Sequence, residues 1–222
     1  KFIRYNQMKK ENFAIFPTLV SAFDFSGHSQ EQLCLDIIND YDNMTDHALI
    51  KGGKSSFVVG DEQFLFDKRL DKLRWDVQGA IDSYCDDAGL EPSLLSTSWF
   101  NVMEEGANVE KHRHEGSVVS GAYYPYVEDD SCPLIFESPL RQVRMCDVFD
   151  KQNEFSSYYV SMRPKNGLLL IFPSWLEHKT DPNVSGKRIT VSFNTIRRNL
   201  VPHIIAQQEH YGKFPVDKQA EK

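Results

Sequence analysis

The feature that most constrains this chain is a change of period near residue 95. Ahead of it, "SQEQLCLDIINDYDN" and "DKRLDKLRWDVQGAIDSYCDDAGL" repeat apolar residues every three or four positions. Behind it come "STSWFNVME", "SVVSGAYYPYV", "CPLIFESP", "EFSSYYVSMRP", "GLLLIFP" and "KRITVSFNTIRR", β-branched or aromatic runs of strand length punctuated by Gly, Pro, Asp and Asn. Helices followed by a succession of short strands predict an α+β, mainly β fold, an antiparallel sandwich or barrel backed by N-terminal helices. The first helix opens on a Ser29-x-x-Gln32 capping box, carries Leu33, Ile37 and Tyr41 on one stripe, and should run about three to four turns. The second aligns Leu70, Leu73, Val77, Ala80, Ile81 and Tyr84, with Gly89 as a left-handed stop. Between them "IKGGKSSFVVGDEQ" reads as an exposed loop with a short strand at Phe57 to Val59. With no repeat and no low-complexity linker, the expectation is one domain over 1–222. Residues 1–94 form its support region, 95–197 its strand core, and 198–222 a tail whose end, "HYGKFPVDKQAEK", frays.

Composition excludes several classes. A formal charge of −7 argues against a surface built to neutralise phosphates, so nucleic acid is not an expected partner. Cys34, Cys85, Cys132 and Cys146 are far apart and form no CxxC, which points to free thiols in a reducing compartment and away from a cysteine zinc site. "GLLLIFP" is too short to cross a bilayer, and "KFIRYNQMKKENF" lacks the apolar stretch of a signal peptide. The expected setting is the cytoplasm. The chain opens on Lys1 rather than Met, so completeness of the N-terminus stays open.

Chemistry concentrates in three places. In "EKHRHEGSVVSGAYY", His112 and His114 leave the same face if the segment is extended, whereas Arg113 points the other way. An isolated pair of this kind can equally be a solvated turn, and a metal would need a third ligand. His178 in "GLLLIFPSWLEHKTDPN" offers one, five residues beyond the end of a buried strand. In "KRITVSFNT", alternation places Arg188, Thr190, Ser192 and Asn194 opposite Ile189, Val191 and Phe193. A polar face on a strand that should be buried makes sense if it lines a pocket. A guanidinium there needs an anion, since an unpaired buried charge costs several kcal/mol. A carboxylate ligand fits its planar fork, and a salt bridge within the protein is the competing account.

"SWFNVMEEG", "HRHEGSVVSGAYYPYVED" and "LLLIFPSWLEHKTDPNVSGKRITVSFNT" resemble the iron(II)- and 2-oxoglutarate-dependent oxygenases, in a bacterial and phage branch with an HxH…SGxYY…WLxH…RIxxSFN pattern. The resemblance covers about residues 95–197, with a weaker likeness in "FAIFPTLVSAFDF". It implies a double-stranded β-helix, the cupin-like jelly roll, with iron(II) at its mouth. It also implies 2-oxoglutarate and O2 as co-substrates, ascorbate as the reductant in vitro, and hydroxylation of a primary substrate with release of succinate. By that resemblance His112 and His178 are metal ligands, Arg188 anchors the distal carboxylate of 2-oxoglutarate, and Thr190 assists.

The chain departs from the superfamily where His114 stands in the usual aspartate position of the facial triad. Three neutral imidazoles leave the metal its full double charge. His114 is nonetheless taken as the third ligand for its side-chain direction, with Glu110 and Glu115 as spare carboxylates. Asn101, by parity with Trp99 and Met103, and Ser120 and Tyr124, by the "SGAYY" match, are further candidates for polar contacts in the pocket. Trp175 is expected to be a packing anchor. The primary substrate is not visible; a peptide, prolyl residues included, or a small molecule is favoured. Two rivals remain: a cupin-type dioxygenase or isomerase that does not use 2-oxoglutarate, and a metal-free jelly-roll binding module.

Overall fold

The computed structural model describes residues 11–58, 61–144, 146–184 and 186–202. Its strands are β1 (Ser21–Asp24), β2 (Thr45–His47), β3 (Ile50–Ser55), β4 (Ser93–Val109), β5 (Val119–Val127), β6 (Leu134–Glu137), β7 (Tyr159–Met162), β8 (Leu168–Pro173), β9 (His178–Thr180) and β10 (Arg188–Arg197). Two α-helices, α1 (Glu31–Asn39) and α2 (Asp71–Asp87), fall between β1 and β4. All strand pairs are antiparallel and form two sheets, a large one ordered β1-β8-β5-β10-β4-β3-β2 and a small one ordered β7-β6-β9. An isolated antiparallel bridge between His112 and His178 adds one more short rung beside β9.

From β4 onward the chain crosses repeatedly between the sheets: β4, β5, β8 and β10 lie in the large one, while the His112 rung, β6, β7 and β9 lie in the small one. This is the winding of a double-stranded β-helix. Side-chain parity shows how the sequence specifies it. In β8, the all-apolar run "LLLIFP", Leu169 and Ile171 join the core under the helices, whereas Leu168, Leu170 and Phe172 join the core between the sheets. The helical stripe Leu70, Leu73, Val77, Ala80, Ile81 and Tyr84 is buried on the outer face of the large sheet with Phe100, Val191 and Phe193. Gly89 ends α2 at φ +64°, the left-handed conformation that a residue without Cβ adopts freely.

Three local expectations are corrected. The capping box at Ser29 does not form: Gln30 is the N-cap of α1, with no side-chain cap bond, and Gln32 reaches forward to Asp36 at 2.8 Å. Gln30 instead accepts the Leu73 N–H at 2.8 Å, so it satisfies an orphan donor of α2. The 9 residues of α1 make a shorter helix than predicted. Finally, "IKGGKS" is no loop but β3, paired with β4. Gly52, at φ +73°, sits where the β3–β4 register shifts, and a Cβ on Gly53 would stand 2.8 Å from the Val102 carbonyl oxygen. The two glycines that suggested a loop are thus what a bulged strand needs. Phe57 and Val58 lie outside any strand, and Val59 lies outside the described residues, as does the "HYGKFPVDKQAEK" tail. Among the described residues no helix is long and apolar enough to cross a membrane.

Candidate metal centre

Backbone pairing brings the three histidines together. The His112 N–H donates to the His178 carbonyl at 3.0 Å, the His178 N–H donates back at 2.9 Å, and the His114 N–H donates to the Ser174 carbonyl at 2.9 Å. The HxH segment is therefore extended and held at both histidines by the 174–178 segment, although it is not part of a continuous strand. Ring centroids are 4.4 Å apart for His112 and His178, 5.0 Å for His112 and His114, and 5.2 Å for His114 and His178. The Nε2 atoms of His114 and His178 stand 3.3 Å apart, and one ring nitrogen from each of the three lies within 4.8 Å of the others.

The tautomers are fixed by the chain itself. His112 Nδ1–H donates to the Glu110 carbonyl and His178 Nδ1–H to the Leu176 carbonyl, both at 2.8 Å, which leaves each Nε2 with a free lone pair. Phe172 packs on the His178 ring at 4.9 Å, and Trp99 lies 5.9 Å from His114. Burial among these groups disfavours the imidazolium form. It holds His114 and His178 down to about 3, with a smaller push from the neighbouring His112, and lowers His112 as well. All three are neutral at pH 7, the state in which imidazole binds a metal. The spare carboxylates stand outside the three-histidine group and are ion-paired: Glu110 with Lys51, and Glu115, which lies on the cavity wall, with Arg113 at 2.9 Å.

These rings line a cavity of about 230 Å³. Arg188, Thr190, Ser192 and Asn194 of β10 all face it, as the alternation predicted. Arg188 is 2% exposed. Its Nη1 donates to Thr190 Oγ1 at 2.9 Å and contacts Met103 Sδ at 3.3 Å, its Nη2 donates to Tyr124 Oη at 3.4 Å, and the guanidinium sits 5.0 Å from the Tyr124 ring centroid. Arg188 Nε has no partner, and no carboxylate among the described residues pairs with this cation. The internal salt bridge that competed with an anion ligand is absent among them. Tyr124 lies wholly inside, where burial raises its phenol and keeps the hydroxyl protonated.

Asn101 lines the cavity, accepts from Ser55 Oγ at 2.7 Å and reaches Ser192 Oγ at 3.5 Å. Ser120 is buried behind the wall rather than in it, bonded to Ser174 Oγ and to Asn194 Oδ1, each at 2.7 Å. Trp175 is 52% exposed, so the packing role expected of it is not found; the turn before β9 points the indole outward. Sequence reasoning missed His47 and Phe57, which stack edge to face at 4.8 Å on the cavity wall. They lie 65 and 55 residues upstream of His112, in a segment without a legible period.

Residues 97–194 match the family described as "Putative 2OG-Fe(II) oxygenase". Over that stretch the barrel is similar to the 2OG-Fe(II) oxygenases. The enzyme is accordingly an iron(II)- and 2-oxoglutarate-dependent oxygenase. No curated protein sequence matches it. Its fold is similar to that of a prolyl-4-hydroxylase from Pseudomonas putida, at 14% identity and TM-score 0.57, over 82% of this chain and 94% of that one. It is also similar to a prolyl hydroxylase from Trichoplax adhaerens in complex with a hypoxia inducible factor peptide fragment, at 16% identity and TM-score 0.55, over 81% and 84%. HygX from Streptomyces hygroscopicus, with nickel, 2-oxoglutarate and hygromycin B bound, aligns at 11% identity and TM-score 0.51, over 82% and 84%.

Proposed function

We propose that His112, His114 and His178 hold the iron through their Nε2 atoms, that Arg188 fixes the distal carboxylate of 2-oxoglutarate, and that the enzyme hydroxylates its primary substrate. The observation that carries this reading is the buried Arg188 guanidinium, which among the described residues finds only a hydroxyl, a thioether and a phenol around it. A dicarboxylate entering the cavity would supply the missing anion and could reach the unpartnered Nε. When bound, iron(II) with 2-oxoglutarate and O2 supplies the oxidising power for hydroxylation, with decarboxylation of the co-substrate to succinate.

The chain's own tasks follow from its contacts. Glu110 and Leu176 carbonyls orient two rings so that Nε2 faces inward. Thr190 holds the guanidinium in place, and Tyr124 covers it with a neutral phenol that accepts from Nη2. Phe172, Leu134 and Trp99 keep the wall apolar. Asn101 serves the wall through its bond to Ser55, and Ser120 acts behind it. A cavity smaller than the 300–1,000 Å³ typical of drug-sized ligands suits a small co-substrate plus one protruding group of a peptide or small molecule. The acidic balance weighs against nucleic acid, and four free thiols support a reducing, cytoplasmic setting.

The test is to incubate the protein with iron(II), ascorbate and 2-oxoglutarate and to assay succinate and bound metal. We expect about one metal per chain, together with succinate, and loss of succinate but not of metal in Arg188→Ala. Iron-loaded protein that forms no succinate overturns the reading in favour of a cupin that does not use 2-oxoglutarate.

A further inference from the structure

We propose that the end of the cavity away from Arg188 recognises the primary substrate, and that Asn194 donates its side-chain N–H there to an uncharged carbonyl of the amide type. This rests on assigning the Arg188 end to 2-oxoglutarate. Arg188 and Asn194 share one face of β10 and are six residues, roughly 20 Å, apart along the strand. A co-substrate gripped by Arg188 therefore leaves the Asn194 end free.

The amide of Asn194 is oriented by a relay. The His114 N–H is bonded to the Ser174 carbonyl, Ser174 Oγ lies 2.7 Å from Ser120 Oγ, and Ser120 Oγ donates to Asn194 Oδ1 at 2.7 Å. With Oδ1 engaged behind the wall, Nδ2 has no partner among the described residues and is turned toward the cavity that Asn194 lines. A half-buried N–H pair in that position asks for an acceptor. The acceptor should be neutral. The other arginine on the cavity wall, Arg113, is already paired with Glu115, and burial lowers the His47 pKa, keeping that ring uncharged, so apart from Arg188 no side chain of the wall offers a carboxylate a free counter-charge. Trp99, opposite Ser192 in the β4–β10 register and 5.2 Å from Phe57, supplies an apolar surface beside the donor. An amide carbonyl carried on an apolar group satisfies both.

The test uses tryptophan emission. Trp75 and Trp175 are 59% and 52% exposed, so Trp75→Phe with Trp175→Phe leaves Trp99 as the reporter. A panel of amino acids capped at both ends as amides is titrated against the same amino acids uncapped. We expect saturable quenching by at least one capped member, with the uncapped form roughly tenfold weaker. Asn194→Asp keeps an acceptor for Ser120 but replaces the N–H donor with a charged oxygen, and Asn194→Ala removes the donor without adding charge; each should weaken the capped ligand roughly tenfold or more. Ser120→Ala, which frees the amide to swing, should lose a smaller factor. If Asn194→Asp fails to fold, Asn194→Ala replaces it with the same expected loss. The proposal is overturned if no capped member quenches Trp99, or if the Asp or Ala variant binds like the parent. Titrating 2-oxoglutarate in the same protein separates the two readings: Arg188→Ala should abolish that binding and Asn194→Asp should not. Failure of 2-oxoglutarate to bind counts against the co-substrate assignment and not against Asn194.

Discussion

The two faces of β10 share one backbone and almost nothing else. Ile189, Val191 and Phe193 are at most 2% exposed and sit in the core beneath the helices. Arg188 and Thr190 are nearly as buried, yet they face the cavity with Ser192 and Asn194. One face is apolar because helices cover it; the other is polar because it lines a cavity. Burial alone therefore says little about role, and the informative sign is a buried polar group whose partners within the chain fall short.

Truncating the core face should have the largest effect. Phe193→Ala removes a fully buried ring and should destabilise by about 3–5 kcal/mol in denaturant unfolding. A loss below about 1 kcal/mol would mean that the helices, not β10, set the core. On the opposite face, Arg188→Met should leave the ligand-free protein as stable or more so, because a buried cation without a counter-ion is replaced by apolar volume. The same variant should bind 2-oxoglutarate roughly a hundredfold more weakly, read by calorimetry. A variant that lost stability and kept binding would reverse the assignment of the two faces.

The faces also meet their neighbours differently. A Cβ built on Gly121 would stand 2.1 Å from Phe193 Cζ, so the ring of one strand occupies the space that a side chain on β5 would need. Gly121→Ala should cost about 1–3 kcal/mol, and Phe193→Leu in the same chain should recover part of it. Additive losses would show that the contact is not the cause.

Much of this was legible in the sequence where a short period sufficed. Parity divided β10 correctly, the helical stripe of α2 is buried as its spacing required, and the histidines of HxH share a face because the segment is extended. What escaped depends on partners far along the chain. Gln30 caps a helix 43 residues away, a bond that no local capping pattern announces. β3 needs β4 to justify its two glycines, and His47 reaches the cavity only because β2 pairs with β3. Ser120 was read as a pocket group from its place in "SGAYY". Its neighbours in three dimensions, Ser174 and Asn194, put it behind the wall instead.

The smallest effect isolates the comparison most cleanly, because it uses adjacent residues. Val191→Ala deletes two methyl groups from a fully buried site and should cost about 2 kcal/mol. Ser192→Ala, one position on, loses only the 3.5 Å contact from Asn101 Nδ2 and turns its methyl toward the cavity, so its cost should stay below about 0.5 kcal/mol. Matched urea titrations of the two variants would measure the contrast, and equal losses would show that β10 is packed alike on both sides. If Ser192 instead cost as much as Val191, the cavity wall would be part of the core, and its polar residues would be structural before they were functional.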